Sequence, residues 1–270
     1  MAVTLILVTS LKRKGDDYWA AGFSVLVVPM VWPVAGMALS EMSAMVFVTL
    51  SLYLQLRGLK AFDADRSALA WFLAAGVSLG IAVWGRQPYL LLCGVAVLIA
   101  LLEQGLRLPM AIFVGAAGSL AIPLFAIWKG FVPPSQHLLP GFSVSHALLW
   151  FGYTGVCFIL APSAARLYGN LAGSLFLSFG VLSLAMLLRM IWKSRKDTKG
   201  LTINAGLLCV GAAPLFDTHQ YSSRYTAMSL PYLILAAQPW RQWSLKTVML
   251  TVLGCGLGFL SLKEYFSFAQ

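Results

Sequence analysis

The chain has 270 residues, of which 60% are hydrophobic and only 10% are charged. Soluble domains carry about 25% charged residues, so this composition argues against a soluble globular protein. The net charge of +10 does not indicate nucleic-acid binding, because the cations lie in short loops between apolar runs. We therefore expect a lipid bilayer, and no nucleic acid, among the partners.

The chain begins with an apolar run of about ten residues, MAVTLILVTS, which ends before Lys12. This run is half of what a membrane span needs, and it lacks the basic start of a signal peptide. It is typical of the second half of a helix. We expect the chain to be incomplete at its N-terminus, as an internal part of a longer reading frame.

Uncharged stretches long enough for membrane helices recur along the rest of the chain, and the shorter ones reach this length when a flanking residue is included. They cover residues 18–40, 42–56, 67–85, 87–102, 108–128, 167–188, 200–216, 225–240 and 247–262. This pattern predicts an all-α, polytopic integral membrane protein of about eight to ten transmembrane helices. Residues 1–270 are predicted to form a single transmembrane helical domain.

The distribution of Lys and Arg predicts which loops are cytoplasmic. Loops 12–14, 57–66 and 189–199 are rich in cations and are predicted to lie inside, as is Arg107. Segments 36–41, 85–88, 129–145 and 216–225 then lie outside. Two apolar runs, 146–161 and 167–188, separate an outside loop from an inside loop. We expect 146–161 to be re-entrant or interfacial, because it is short, broken by glycine and ends at Pro162. The alternative is one exception to the charge rule.

Cysteine and histidine give no sign of a disulfide framework or a zinc site. All four cysteines lie inside apolar runs without a CxxC pair, and the three histidines lack zinc-ligand spacing. We also find no nucleotide-binding or serine-hydrolase motif.

Charged residues collect at the predicted outer ends of the helices: Glu41, Arg86, Lys129, Asp217 and Arg224. Charges at this depth are costly and tend to face a cavity or a partner. Each also has a structural alternative. Glu41 could complement the helix dipole after Ser40 as N-cap, and the two arginines could extend towards lipid headgroups. Lys129 could be an interfacial anchor, Asp217 a helix terminator or a partner of Arg224, and His219 a loop residue.

Residues 36–92 resemble the core of the GT-C glycosyltransferases, the membrane transferases that use polyprenyl-phosphate sugars. They include protein mannosyltransferases and the lipid A aminoarabinose transferase. The similar motifs are an acidic residue that opens a helix, in ALSEMSAM, and AGVSLGIAVWGR, which ends at Arg86. A C-terminal motif, Arg224-Tyr225 followed by Pro231-Tyr232, is similar as well. The family's principal catalytic aspartate lies in a first outer loop, and Asp16 and Asp17, beside the KRK cluster, cannot replace it.

The resemblance implies a GT-C-like fold and transfer of a hexose or pentose from polyprenyl phosphate to an acceptor at the outer face. Glu41 would be the catalytic carboxylate, as base, acceptor ligand or metal ligand, with Mg or Mn as the cofactor this role allows. Substrate-binding residues would be Arg86, Gln87, Arg224, Tyr225 and His219, the arginines holding the phosphate. Localisation would be the inner or plasma membrane of a bacterium. Without the aspartate, the chain alone is not expected to turn over the donor.

Two other functions remain open. A transporter or flippase of a lipid-linked substrate would place a charge near mid-span or pair broken helices in two halves. A non-catalytic assembly subunit would use small-residue seams, for which GVSLG and GCGLG are candidates.

Overall fold

The structure is a computed structural model that describes residues 40–64 and 67–129. It also describes single positions between 192 and 259, and for Ser40 and Glu41 it describes the backbone alone. The described residues of 40–129 form four α-helices and two short 3-10 turns, with no strand among them. The all-α class predicted from the apolar runs is confirmed for this part of the chain.

Helix α1 runs from Ser40 to Asp63. Its first turn contains Glu41, and its last turn contains Lys60, whose positive charge complements the helix dipole. Buried side chains cover much of its circumference, including Met45, Val48 and Leu52. Helix α1 is therefore an inner helix of the bundle.

Helix α2 runs from Leu69 to Gly85 and ends at Arg86, whose backbone is extended. A 3-10 turn follows at Gln87–Leu90. The break has a local cause in Pro88, which cannot donate a backbone hydrogen bond and whose ring would clash with the carbonyl four residues earlier in a continuous helix. The turn leads into helix α3, Leu91–Leu102.

Helix α4 follows an extended Glu103 and a second 3-10 turn, Gln104–Leu106. It runs from Arg107 to Trp128 and ends at Lys129, which adopts the left-handed backbone conformation with φ 54°. The Lys129 N–H bonds back to the Phe125 carbonyl and closes the last turn.

The described helices pack in both antiparallel and parallel pairs. Helices α1 and α2 form an antiparallel pair, since Gly58 near the end of α1 lies against Phe72 near the start of α2. Helices α2 and α4 run parallel, because Gly76 contacts Phe113 while Gly80, one turn later, contacts Leu120. Helix α3, which lies between α2 and α4 in the sequence, runs in the opposite direction and also packs on α4.

The bundle therefore has two ends, which we name by their residues. The head end contains Ser40, Arg86 and Lys129, and the hairpin end contains Asp63, Leu69 and Gln104. At the hairpin end the α3–α4 turn reaches α1, since a Cβ on Gly105 would lie 3.1 Å from Phe62 Cζ.

Among the described residues, two helical segments are long and apolar enough to cross a membrane, Met42–Asp63 and Gln104–Trp128. Leu69–Gly85 and Gln87–Leu102 are apolar but shorter. The predicted run 87–102 differs from a continuous helix, because its first four residues form the 3-10 turn that Pro88 favours. The remaining runs, including 146–161 and the N-terminal one, lie outside the described residues or touch them only at single positions.

Candidate functional site at the head end of the bundle

The register of the α1–α2 pair brings Glu41 and Arg86 to one end of the bundle. A Cβ on Gly58 would lie 2.7 Å from Phe72 Cε2, which fixes the two helices against each other. From that contact, α1 extends about 26 Å back to Glu41 and α2 about 21 Å on to Arg86, at 1.5 Å per residue. The first turn of α1 therefore lies within about one helical turn of the level of Arg86.

Arg86 occupies a defined position between two elements. Its N–H donates to the Ala82 carbonyl at 2.9 Å, and its own carbonyl accepts from the Tyr89 N–H at 3.3 Å. The residue is half-buried, its Nε is closed off from solvent, and it takes part in at least one further interaction. A guanidinium has five N–H donors, so an engaged Arg86 keeps the capacity to bind an anion.

The residues that follow Arg86 are partly or fully buried. Gln87 and Pro88 are half-buried, and Tyr89 is almost completely buried. On the other side, Trp84 donates from Nε1 to the Leu120 carbonyl at 2.8 Å, which ties the end of α2 to α4. Lys129 is exposed at the same end. The head end therefore combines two described cations with a tryptophan and a proline-stiffened turn.

The predicted cytoplasmic cations lie at the opposite end. Arg57 and Lys60 are in the last turns of α1, and Arg107 opens α4, where its Nε donates to the Ala100 carbonyl at 3.3 Å. All three are exposed. The charge count thus assigned these residues to one side and Arg86 and Lys129 to the other, and the helices separate them in the same way.

Buried polar groups on α1 were missed by the sequence analysis. Thr49 Oγ1 donates to the Met45 carbonyl at 2.6 Å and lies 2.7 Å from the hydroxyl of Tyr232, a residue 183 positions away. Tyr232 also donates to the Met45 carbonyl at 3.1 Å. Tyr232 closes the C-terminal motif quoted above, so this part of the motif packs against α1.

Two further polar atoms on α1 are buried without a hydrogen-bond partner among the described residues. They are Ser51 Oγ and Gln55 Nε2, on side chains that are 0% and 5% exposed. Residues four apart share one face of a helix. The hairpin-side half of α1 therefore presents a polar stripe to the interior.

The other predicted site residues cannot be placed. Arg224, Tyr225 and His219, together with Asp217, lie outside the described residues, as does the side chain of Glu41. Within the described part of the chain, no group of three or more His, Cys, Asp and Glu is arranged to hold a metal ion.

The glycine seam GVSLG is used inside the chain. Gly76 lies against the Phe113 carbonyl and Ala116 of α4, and a Cβ on Gly80 would lie 2.7 Å from Leu120 Cβ. A seam already filled by α4 is not available to a separate subunit. This removes one of the two sequence features that favoured a non-catalytic assembly subunit.

No protein family, curated protein or solved structure that we compared with the chain matches it.

Proposed function

We propose that the chain is a multi-pass membrane glycosyltransferase of the GT-C kind, or a part of one. It would move a sugar from polyprenyl phosphate to an acceptor at the outer face of a bacterial inner membrane. The observation that carries the proposal is the register of the α1–α2 pair, which brings the helix turn with Glu41 level with Arg86. A carboxylate and an arginine at one end of a helix pair provide a base and an anion-binding group.

The exposed surface of the bundle supports the membrane part of the proposal. Large apolar side chains remain outside on several helices, among them Leu73, Leu101 and Ile127, which are 51%, 70% and 68% exposed. Soluble monomers rarely expose large apolar patches, and such patches mark contact with a membrane or a partner. Lipid tails would cover it between the head and hairpin ends.

In the proposed step, the acceptor hydroxyl attacks the anomeric carbon of the donor sugar. The hydroxyl proton passes to a carboxylate, the role assigned to Glu41, while the bond between the sugar and the phosphate oxygen breaks. Polyprenyl phosphate leaves with the electron pair of that bond. Arg86 offsets the charge that develops on the leaving phosphate. By resemblance, Gln87, Arg224, Tyr225 and His219 complete the donor site.

Donor binding tests the proposal without requiring turnover. The purified chain would be photo-crosslinked with a polyprenyl-phosphate analogue in detergent, and Arg86→Gln compared with Arg107→Gln at the opposite end. We expect about tenfold weaker labelling for Arg86→Gln, because the phosphate loses a charge-assisted contact. Arg107→Gln should change labelling by less than twofold. Equal labelling of both variants and the original chain would contradict the donor site.

Glu41 is tested by turnover. In a membrane preparation that releases polyprenyl phosphate from a hexose or pentose donor, Glu41→Gln should slow release by about a hundredfold or more. The folded protein level should stay unchanged. Normal release by this variant would return Glu41 to a helix-capping role.

The buried polar atoms of Ser51 and Gln55 favour a second candidate, a flippase of a lipid-linked substrate. A polar stripe inside a membrane helix could contact a headgroup as it crosses the bilayer. The same donor distinguishes the two functions. A flippase moves the polyprenyl-phosphate sugar between leaflets intact, whereas a transferase releases free polyprenyl phosphate.

A further inference from the structure

A cleft of about 380 Å³ opens at the hairpin end of the bundle, away from the site described above. Its volume lies in the range of small-ligand sites. The lining residues come from the end of α1 and the start of α2: Arg57, Lys60, Ala61, Ala64, Ser67 and Trp71. These described lining residues include two cations, a hydroxyl group and an indole.

The two cations have different roles in this cleft. The Arg57 guanidinium carbon lies 5.4 Å from the centre of the Trp71 ring, within the range of a cation–π contact. This contact holds the planar guanidinium beside the cleft, and its N–H groups suit the geometry of phosphate oxygens. Lys60 follows Arg57 by three residues on α1 and therefore lies on the same side of the helix. Its ammonium group adds three hydrogen-bond donors.

We propose that this cleft binds the phosphate group of an anionic ligand. Basic pockets between membrane helices on the cytoplasmic side are a known way to hold anionic headgroups, and tryptophan favours the same interfacial level. The proposal goes beyond glycosyl transfer, and its lipid form rests on the membrane placement proposed above. The phosphate could belong to a phospholipid headgroup or be free in solution, and both offer the same oxygens to Arg57 and Lys60.

The test uses the full chain purified in detergent and two probes, dioleoyl phosphatidic acid in mixed micelles and inorganic phosphate. Bound phosphatidic acid is counted by native mass spectrometry, and inorganic phosphate by equilibrium dialysis. The variants are Arg57→Gln, Lys60→Gln and the double substitution. Arg107→Gln is the matched control, since it removes an exposed cation at the same end but outside the cleft.

We expect the double variant to lose about tenfold in affinity for the probe that occupies the cleft, and Arg107→Gln less than twofold. Dependence on Arg57 and Lys60 supports the site with either probe. Binding of phosphatidic acid alone identifies a lipid headgroup as the ligand, and binding of inorganic phosphate alone identifies a free anion. Arg57→Lys should recover part of the affinity, because it restores the charge without the planar fork.

Two results would overturn the proposal. One is binding of neither probe by the original chain. The other is an equal loss in the double variant and in Arg107→Gln, which would mean general attraction to a basic surface. Size-exclusion profiles and melting temperatures of all variants show whether a loss reflects misfolding. Arg86→Gln should leave the part of this binding that depends on Arg57 and Lys60 unchanged, so failure here and failure of the donor site are separate results.

Discussion

Individual side chains show that α1 is held by polar as well as apolar contacts. The pair of Thr49 and Tyr232 lies in a fully buried environment, and both hydroxyl groups also reach the Met45 carbonyl. Hydrogen bonds between membrane helices contribute about 0.6 kcal/mol on average and at most about 1.7 kcal/mol. We therefore expect this contact mainly to determine which residues of the two segments meet. Its contribution to the free energy of unfolding should be small.

Tyr232→Phe removes one hydroxyl from this cluster and keeps the ring. We expect a loss of about 1 kcal/mol in the free energy of unfolding, because Thr49 keeps its bond to Met45. Thr49→Val should cost a similar amount, since Tyr232 also keeps a bond to Met45. The double variant should cost less than the sum, measured by chemical denaturation in detergent. Strict additivity would mean that the two hydroxyl groups do not interact.

The seam between α2 and α4 shows what the glycines contribute at the scale of helices. Without a hydrophobic driving force between them, membrane helices associate through close packing, and small residues let their backbones approach. Gly76 faces a backbone carbonyl of α4, which cannot move aside as a flexible side chain could. Gly94 and Gly115 have open space at the position of a Cβ.

Gly76→Ala should therefore destabilise the protein by about 1–3 kcal/mol, as overpacking does in other cores. Gly94→Ala and Gly115→Ala are the matched controls, and they should be neutral or slightly stabilising because alanine favours a helix over glycine. Thermal unfolding in one detergent compares all three variants. A Gly76→Ala variant as stable as the two controls would show that α2 and α4 do not pack as described.

The helices themselves could be predicted because their signals are local. Apolar runs predicted where α1, α2 and α4 lie, and the charge of Arg86 separated the run of α2 from the next one. The sequence motif also identified Gly76 and Gly80 as a seam, but not the helix that fills it. Two glycines at positions i and i+4 define only a face, and any neighbouring helix could lie against it.

The candidate sites depend on contacts that a linear pattern does not contain. The charge count predicted that Glu41 and Arg86 lie at the same end of the bundle, and the register at Gly58 and Phe72 agrees with this prediction. By contrast, the meeting of Thr49 with Tyr232 joins residues 183 positions apart, and no local signal pairs them. The cleft beside Trp71 likewise requires α1 and α2 to be in register, so the same cations appeared from sequence only as a topology signal.

For the molecule as a whole, the proposed function requires the two ends of the bundle to face opposite sides of a membrane. The head end, with Arg86 and Lys129, must face outside for a donor site there. The hairpin end, with Lys60 and Arg107, must face the cytoplasm. Helices α1 and α4 are long enough for this, since they span about 36 Å and 33 Å and a bilayer core is about 30 Å thick.

Cysteine labelling of intact cells tests this arrangement most directly. Cys93, Cys157, Cys209 and Cys255 are first replaced by serine, and single cysteines are then introduced at Lys129 and at Gln104, both of which are exposed. A membrane-impermeant maleimide should label Lys129→Cys in intact cells and Gln104→Cys only after the membrane is opened. Labelling of both positions in intact cells, or of Gln104→Cys alone, would contradict a donor site at the outer face.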